Sequence, residues 1–182
     1  MIILKGCALA VEEKKLNKCV KYILPNGGFL DVLTDVYDEI NKWLQTDEDS
    51  AEAGGYIVGY QHRNTKNVSL EKVSHPYEGD MRNRVHFTMR DPRHHYFLIR
   101  EQINKSYYMG VWHTHPEDIP HPSSIDLNDW EQSLKDEKSA CNYILFIIAG
   151  RKQIRIWAGS NRTGEIVELE ECRKSEDDLY IV

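Results

Sequence analysis

Two histidines, a serine and an aspartate lie within one short stretch of the sequence, and together these side chains could hold a metal ion. On an extended strand, residues two positions apart project from the same face about 6.6 Å apart, so His113 and His115 can converge on one ion. Asp126 follows Ser123 by three positions, which puts both on one side of a first helical turn. Two imidazoles and a carboxylate leave a tetrahedral Zn²⁺ one open position, which water occupies in a hydrolase. The stretch therefore predicts one catalytic zinc held by His113, His115 and Asp126.

A zinc hydrolase also needs an acidic group that takes a proton from the water molecule. Glu52 is the candidate for this general base. It stands at the end of an acidic loop and at the start of a glycine-containing strand, which could approach the metal closely.

Each of these residues also has an ordinary structural interpretation. A His-x-His pair occurs in many strands that bind nothing, Ser123 could simply cap a helix, and Asp126 could be a solvated residue of a first turn. His121, in the intervening loop, could be a fourth nitrogen donor or could face solvent or substrate. The combination at fixed offsets favours the metal site over these separate interpretations.

The composition is that of a globular protein. Of the 182 residues, 41% are hydrophobic and 29% charged, with 11 Gly and 6 Pro, which excludes a disordered or collagen-like chain. This length fits one domain, 1–182, that can bury about 70% of the surface of the unfolded chain. The net charge of −6, with no stripe of Lys and Arg, argues against nucleic acid as a partner.

The sequence also argues against a membrane location. Its longest apolar run, 143–149, has the length of a strand, whereas a bilayer span needs roughly 20 residues. The N-terminal segment lacks the layout of a cleaved signal, so we expect a cytoplasmic protein without a membrane partner. The four cysteines are far apart and form no Cys-x-x-Cys pair, and we expect them to be reduced thiols.

Hydrophobic periodicity and turn residues predict the elements that position the site. The predicted helices cover 29–44, 91–104 and 124–137. The predicted strands cover 55–60, 67–74, 84–88, 107–113, 142–149, 153–158 and 165–171.

Because strands and helices alternate irregularly, the predicted class is α+β, with one mixed β-sheet packed between helices. The acidic end of the chain, 173–182, is typical of a mobile tail. His94 and His95, on a predicted helix, are expected at the surface. Trp112 alternates to the face opposite the histidine pair and is expected in the core.

The spacing of these residues resembles a known family. Glu52 is followed by Gly three and seven positions later, and far downstream comes His-x-His-Pro at 113–116. Seven residues separate His115 from Ser123, and Asp126 lies three beyond that serine. This is similar to the JAMM pattern of the MPN-plus (JAB) metalloproteases, and the resemblance covers about residues 20–160. The strings Tyr-Met-Gly-Val-Trp-His-Thr-His-Pro and Pro-Ser-Ser-Ile-Asp look most like the prokaryotic JAB branch.

The resemblance implies a single MPN/JAB domain and a role for each residue of the pattern. His113, His115 and Asp126 would bind zinc, Glu52 would act as general base and then general acid, and Ser123 would donate a hydrogen bond to the developing oxyanion. Ala53 stands where many relatives have Ser or Thr. No Cys/His-rich insertion follows the aspartate, so a second, structural zinc is not expected.

The resemblance also implies a substrate, namely a protein whose C-terminal tail is joined to a lysine of a target protein. Some members of this branch occur in CBASS anti-phage operons, where the tail belongs to the nucleotidyltransferase (CD-NTase) and the protease reverses its conjugation. Others accompany bacterial ubiquitin-like proteins and act as deubiquitinase-like proteases. Further alternatives are a non-catalytic MPN scaffold and a relative of the RadC-like proteins. The intact site residues argue against the scaffold, and the acidic net charge argues against a DNA role.

Overall fold

The computed structural model describes residues 19–137, 139 and 141–172, and the predicted mobile tail at 173–182 lies outside them. Within these ranges, no helix is long and apolar enough to cross a bilayer. The elements in chain order are β1 (Cys19–Ile23), β2 (Phe29–Leu33), α1 (Thr34–Asn41), β3 (Gly54–Gln61), β4 (Val68–Val73), β5 (Met81–Asn83), β6 (His86–Thr88), α2 (Arg93–Ile103), β7 (Tyr107–Thr114), α3 (Ser124–Asp136), β8 (Tyr143–Ala149), β9 (Ile154–Ser160) and β10 (Ile166–Glu168).

Eight of these strands form one curled sheet in the order β1-β2-β4-β3-β7-β8-β9-β10, while β5 and β6 form a separate hairpin. The pairs β2–β4 and β7–β8 are parallel and the other neighbours antiparallel, so the sheet is mixed. The segment after β10 returns to β1, where Glu171 bridges Tyr22. The two outer edges of the sheet are therefore joined.

Helices cover both faces of the sheet. On one face, Val36 and Ile40 of α1 are fully buried in the larger core cluster. On the other face, Trp130 of α3 stacks on Phe146 of β8, with ring centroids 4.6 Å apart. All residues of β8 are buried because the strand packs against both clusters. The predicted α+β class, with a mixed sheet between helices, is confirmed.

The prediction of one continuous helix over 29–44 is wrong for its first part. Residues Phe29–Leu33 form strand β2, and the helix covers only Thr34–Asn41. Leu30 and Val32 are fully buried while their neighbours are half-buried, which is the two-residue period of a strand. The apolar residues of this segment satisfy both periods, and pairing with β1 and β4 decides for the strand.

Two other predicted strands differ in extent, and one strand of the structure was not predicted. The segment predicted as one strand over 84–88 is instead part of a hairpin, with short strands on either side of a turn at 84 and 85. The first strand, β1, lies in a region for which the sequence pattern gave no element. The last strand ends at Glu168 rather than at 171.

Three chain segments meet at one end of the central strands. Parallel pairing of β7 and β8 places the C-terminal ends of both strands side by side. Antiparallel pairing of β3 with β7 places the start of β3 next to them, so that Gly54 lies opposite His113. The residue two positions before Gly54 is Glu52, and the fold thus carries it to the end of β7.

Candidate active site

The two histidines lie at the end of β7, in the middle of the sheet. His113 is on the strand, and His115 follows its last residue, with its backbone N–H donating to the Ala149 carbonyl (2.9 Å). Their Nε2 atoms are 3.1 Å apart. Thr114, between them, points to the opposite face and is fully buried. The strand geometry therefore makes the two imidazoles converge.

Asp126 is held in place by the start of α3. The hydroxyl of Ser123, the N-cap residue, accepts a hydrogen bond from the backbone N–H of Asp126 (3.2 Å), and the Asp126 carboxylate accepts one from the Ser123 N–H (2.6 Å). This capping box fixes the aspartate carboxylate in the first turn. Its Oδ1 lies 3.0 Å from His113 Nε2, and its Oδ2 lies 3.4 Å from His115 Nε2.

The distances among these three side chains match those of a metal-ligand set. Ligand atoms about 2.0–2.1 Å from a tetrahedral zinc are about 3.3 Å from each other. Here the two Nε2 atoms are 3.1 Å apart, His113 Nε2 is 3.0 Å from Asp126 Oδ1, and one ligand atom from each of the three residues lies within 4.8 Å of the others. The Nε2 atoms of both imidazoles lie beside the same carboxylate, where one cation could contact all three groups. The donor set therefore fits a divalent metal ion.

The electrostatics of the cluster also favour a cation. Burial by itself would raise the pKa of Asp126, but hydrogen bonds from His113 and His115 hold it far below its usual value. Burial would lower the pKa of His115, and the hydrogen bond to the Asp126 carboxylate outweighs it and raises that pKa. The carboxylate is thus held in its charged form, and its negative charge favours a cation beside it.

Glu52 lies in a loop that backbone hydrogen bonds attach to the β5–β6 hairpin. Its N–H donates to the Asn83 carbonyl (2.7 Å), and its carbonyl accepts from Arg82 Nε (2.8 Å). Burial raises the pKa of the Glu52 carboxyl, while attraction to His113 and His115 opposes that rise. A carboxyl group with these neighbours can exchange a proton within the site.

The five residues predicted for the site line one cavity of about 220 Å³. Glu52 comes from the loop before β3 and the histidine pair from the end of β7, while Ser123 and Asp126 belong to the start of α3. The structure therefore brings all five together, and their chemical roles stay predictions. Ala53 is fully buried in the core, and both its backbone N–H and its carbonyl are hydrogen-bonded to Thr114.

The cavity lies between two walls of different chemistry. One wall comes from the hairpin and the residues after it, namely Val85, His86, Phe87 and Met89. The other comes from α3, namely Ile125, Asp129, Trp130 and Ser133. A side chain at Gly54 would place its Cβ 2.6 Å from the Trp112 carbonyl and 2.7 Å from the Phe87 ring. Glycine is needed there because the hairpin wall approaches the strand so closely.

The structure also tests the sequence predictions for His121 and His94. His121 does not line the cavity, and its side chain is 69% exposed beside Glu117, as the loop interpretation predicted. His94 contradicts the expectation of a surface residue, since it is 2% exposed. Its spacing of three from Phe97 and seven from Glu101, both buried on the same face of α2, was the signal that could have found this.

No pattern in the sequence points to the residues that hold the Glu52 loop. Arg82 lies in β5, and its guanidinium donates to the carbonyls of Ala51 and Glu52 and lies over the Trp43 ring. The hairpin that forms one wall of the cavity could not be predicted from the sequence either, because two three-residue strands are too short for a periodic pattern.

Comparison with known proteins gives a consistent family. A family model described as prokaryotic homologs of the JAB domain matches residues 33–160. Three similar proteins are each named CD-NTase/cGAS isopeptidase. The one from Escherichia coli (strain TW11681) is 32% identical over 142 residues, which are 76% of this chain and 85% of that protein.

The other two relatives agree with the first. The protein from Vibrio cholerae serotype O1 is 30% identical over 70% of this chain and 79% of its own length. The protein from Pseudomonas aeruginosa (strain BWHPSA011 / Pa011) is 31% identical over 72% of this chain and 83% of its own length. The fold, the site geometry and these matches lead to one conclusion, that the chain belongs to the prokaryotic branch of the JAB domain family.

Proposed function

We propose that this protein is a zinc-dependent isopeptidase that releases a CD-NTase from the lysine of a target protein in a CBASS anti-phage system. The observation that carries the proposal is the meeting of two imidazoles and a carboxylate in a cavity that Glu52 and Ser123 also line. The names of the similar proteins support the choice of substrate.

The zinc ion would be bound by His113, His115 and Asp126, whose donor atoms fit it. When bound, it would supply a Lewis acid that polarises the substrate carbonyl and makes a water molecule more acidic. The side chains of the protein would carry out the remaining steps, namely proton transfer and stabilisation of the developing charge. The capping box keeps the Asp126 carboxylate turned toward the imidazoles.

Glu52 would move the proton during hydrolysis. Its carboxylate takes a proton from water as the water oxygen forms a bond to the carbonyl carbon, and returns it to the lysine nitrogen as the C–N bond breaks. Ser123 would stabilise the charge on the carbonyl oxygen. Because its hydroxyl oxygen accepts the N–H of Asp126, its hydrogen is left to point outward and donate.

The two walls of the cavity favour an extended peptide as substrate. Strand β6 pairs with β5 on one side only among the described residues, and both His86 and Phe87 face the cavity. A C-terminal tail could add to the other side of β6 through backbone hydrogen bonds. The narrow space at Gly54 and Phe87 favours small residues near the cleaved bond.

The test is cleavage of defined conjugates. A CD-NTase C-terminal segment is joined through its last carboxyl to a lysine peptide, and a matched conjugate carries the tail of a bacterial ubiquitin-like protein. We expect the zinc-loaded protein to release the lysine peptide from the first conjugate, and Glu52→Gln to release it at least about a hundredfold more slowly at the same concentration. Mass spectrometry identifies the bond that is broken.

Two results would contradict the proposal. Cleavage of the ubiquitin-like conjugate alone would move the protein to the deubiquitinase-like group. No cleavage of either conjugate, with zinc bound at one equivalent, would make the protein a non-catalytic scaffold.

A further inference from the structure

The side chain of Gln45 connects three segments that meet at the site. It follows α1, is 1% exposed and lies in none of the sequence patterns of the site. Its Nε2 donates to the carbonyls of Ser50 (3.0 Å) and Arg84 (2.7 Å), and its Oε1 accepts from the hydroxyl of Thr114 (3.1 Å). It thus bonds to the Glu52 loop, to the β5–β6 hairpin and to the strand that carries the histidines.

Thr114 extends this connection to the residue beside Glu52. Its Oγ1 accepts the backbone N–H of Ala53 (3.0 Å), and its own N–H donates to the Ala53 carbonyl (2.8 Å). Since Thr114 stands between His113 and His115, one side chain joins the general base segment to the imidazole pair. The hydroxyl uses its hydrogen for Gln45 and a lone pair for Ala53, so its direction is fixed.

We propose that Gln45 is a positioning residue that sets the distance between the Glu52 carboxyl and the two imidazoles. The proposal rests on the proposed function. The amide of Gln45 does not line the cavity, so it would act through Thr114, Ala53 and the loop rather than on the substrate. A displacement of a reacting group by about 1 Å can lower a rate by about a hundredfold, which gives such a contact its importance.

The first variant is Gln45→Met, which keeps the length of the side chain and removes all three hydrogen bonds. We expect kcat to fall by about 10- to 100-fold, KM to change by less than about threefold and one zinc to stay bound. Thr114→Val and Thr114→Ser form a matched pair that tests the same path. The valine variant removes only the hydroxyl and should lose activity like Gln45→Met, whereas the serine variant keeps the hydroxyl and should retain it.

A double-mutant cycle separates positioning from general loss of structure. In single-turnover assays, Gln45→Met should add no further loss to Glu52→Gln, because the group it positions is already absent. If Gln45 served only stability, the two losses would multiply, and this result or an unchanged kcat for Gln45→Met would overturn the inference. An inactive wild-type protein would instead overturn the proposed function.

A measurement without catalysis tests the same inference. In the metal-free protein, hydrogen exchange at the Ala53 amide should accelerate at least about tenfold in Gln45→Met, since its acceptor Thr114 loses its fixed direction. Exchange at amides of β9, far along the sheet, should stay unchanged. An unchanged rate at Ala53 would show that Gln45 does not hold the Glu52 loop, whatever the activity of the protein.

Discussion

Two clusters of similar residues occur in this molecule, and they differ in what surrounds them. The site cluster combines the hydroxyl of Ser123 with two imidazoles and the Asp126 carboxylate. A second cluster, which we name the buried array, consists of Ser74, His94 and Asp80. In it, His94 Nδ1 is 2.9 Å from Ser74 Oγ, and His94 Nε2 is 2.8 Å from Asp80 Oδ2.

Every polar atom of the buried array has a protein partner. The Tyr56 N–H donates to Ser74 Oγ, which is also hydrogen-bonded to His94 Nδ1, and the Asp80 carboxylate accepts a hydrogen bond from His94 Nε2. Backbone N–H groups of residues 77, 90 and 91 complete the shell of Asp80. The side chains of His94 and Asp80 are 3% and 0% exposed. This array joins α2, β4 and the base of the hairpin and is closed to substrate.

The site cluster has the opposite properties. Its imidazoles direct two nitrogen atoms at the same carboxylate and at each other, and a cavity opens beside them. A metal ion between them could bind both imidazole nitrogens and the carboxylate. The arrangement of hydrogen-bond partners, rather than the residue types, therefore distinguishes a candidate reactive cluster from a structural one.

The largest expected effect comes from removing one histidine of each cluster. His113→Ala should lose both the bound zinc and all measurable turnover. His94→Ala should keep one zinc and turnover per folded molecule within about threefold, but should lower the free energy of unfolding by about 3 kcal/mol, because Ser74 and Asp80 lose their partner. Metal analysis and urea unfolding check the two results, and zinc loss in His94→Ala would contradict the comparison.

The next effect separates zinc binding from proton transfer. Glu52→Gln removes the proposed general base but keeps the shape of the side chain, so turnover should fall by about 10²- to 10⁴-fold. Zinc should stay bound at one equivalent because Glu52 is not in the ligand set. Single-turnover rates with metal analysis provide the measurement. A variant that retains more than about a tenth of the activity would exclude Glu52 as the base.

A smaller effect is expected at Ser123, which has two roles in this account. Ser123→Gly removes the hydroxyl, and glycine is nearly as good an N-cap as serine, so stability should change by only a few tenths of a kcal/mol. The rate should fall by about a hundredfold, or about 3 kcal/mol, if the hydroxyl donates to the oxyanion. Thermal unfolding and kcat are measured together. An unchanged kcat would leave the serine with the capping role alone.

The smallest effect concerns the response of the buried array to acid. Burial would raise the pKa of Asp80, but hydrogen bonds from backbone N–H groups and His94 lower it overall. The stability that this carboxylate contributes is therefore present above its unfolded pKa of about 3.9 and is lost as the pH falls below that value. Asp80→Asn should lower the free energy of unfolding by about 2 kcal/mol at neutral pH. The free energy of unfolding of this variant should also depend less on pH below about 4. Urea unfolding of the metal-free proteins between pH 3 and 6 would show parallel curves if Asp80 had no such role.

The sequence indicated most of the site because most of it is local. His113, His115, Ser123 and Asp126 lie within one segment, and the period of a strand and the first turn of a helix suffice to bring them together. Glu52 is about sixty residues away in the sequence. Its place at the start of a glycine-containing strand made it a candidate, and the resemblance to the family strengthened its connection with the other four residues. The contact that brings it there is the pairing of Gly54 with His113, which no local pattern predicts.

The parts that could not be predicted depend on long-range contacts. Residues 29–33 have apolar positions that fit both a helix and a strand, and their neighbours in the sheet decided between them. The buried amide of Gln45 is held by three hydrogen bonds, and its most distant partner is 69 residues away in the sequence. A polar residue of this kind looks like a surface residue in the sequence, because only tertiary structure supplies its partners.

The central claim, that zinc bound by His113, His115 and Asp126 works with Glu52 in hydrolysis, is tested most directly by a zinc titration. The protein is stripped with a chelator, zinc is added back in steps, and bound metal and cleavage of the CD-NTase conjugate are measured in the same samples. Activity should rise in proportion to zinc and stop rising at one equivalent per chain. Full activity in the zinc-free protein, or zinc bound equally well by His113→Ala, would contradict it.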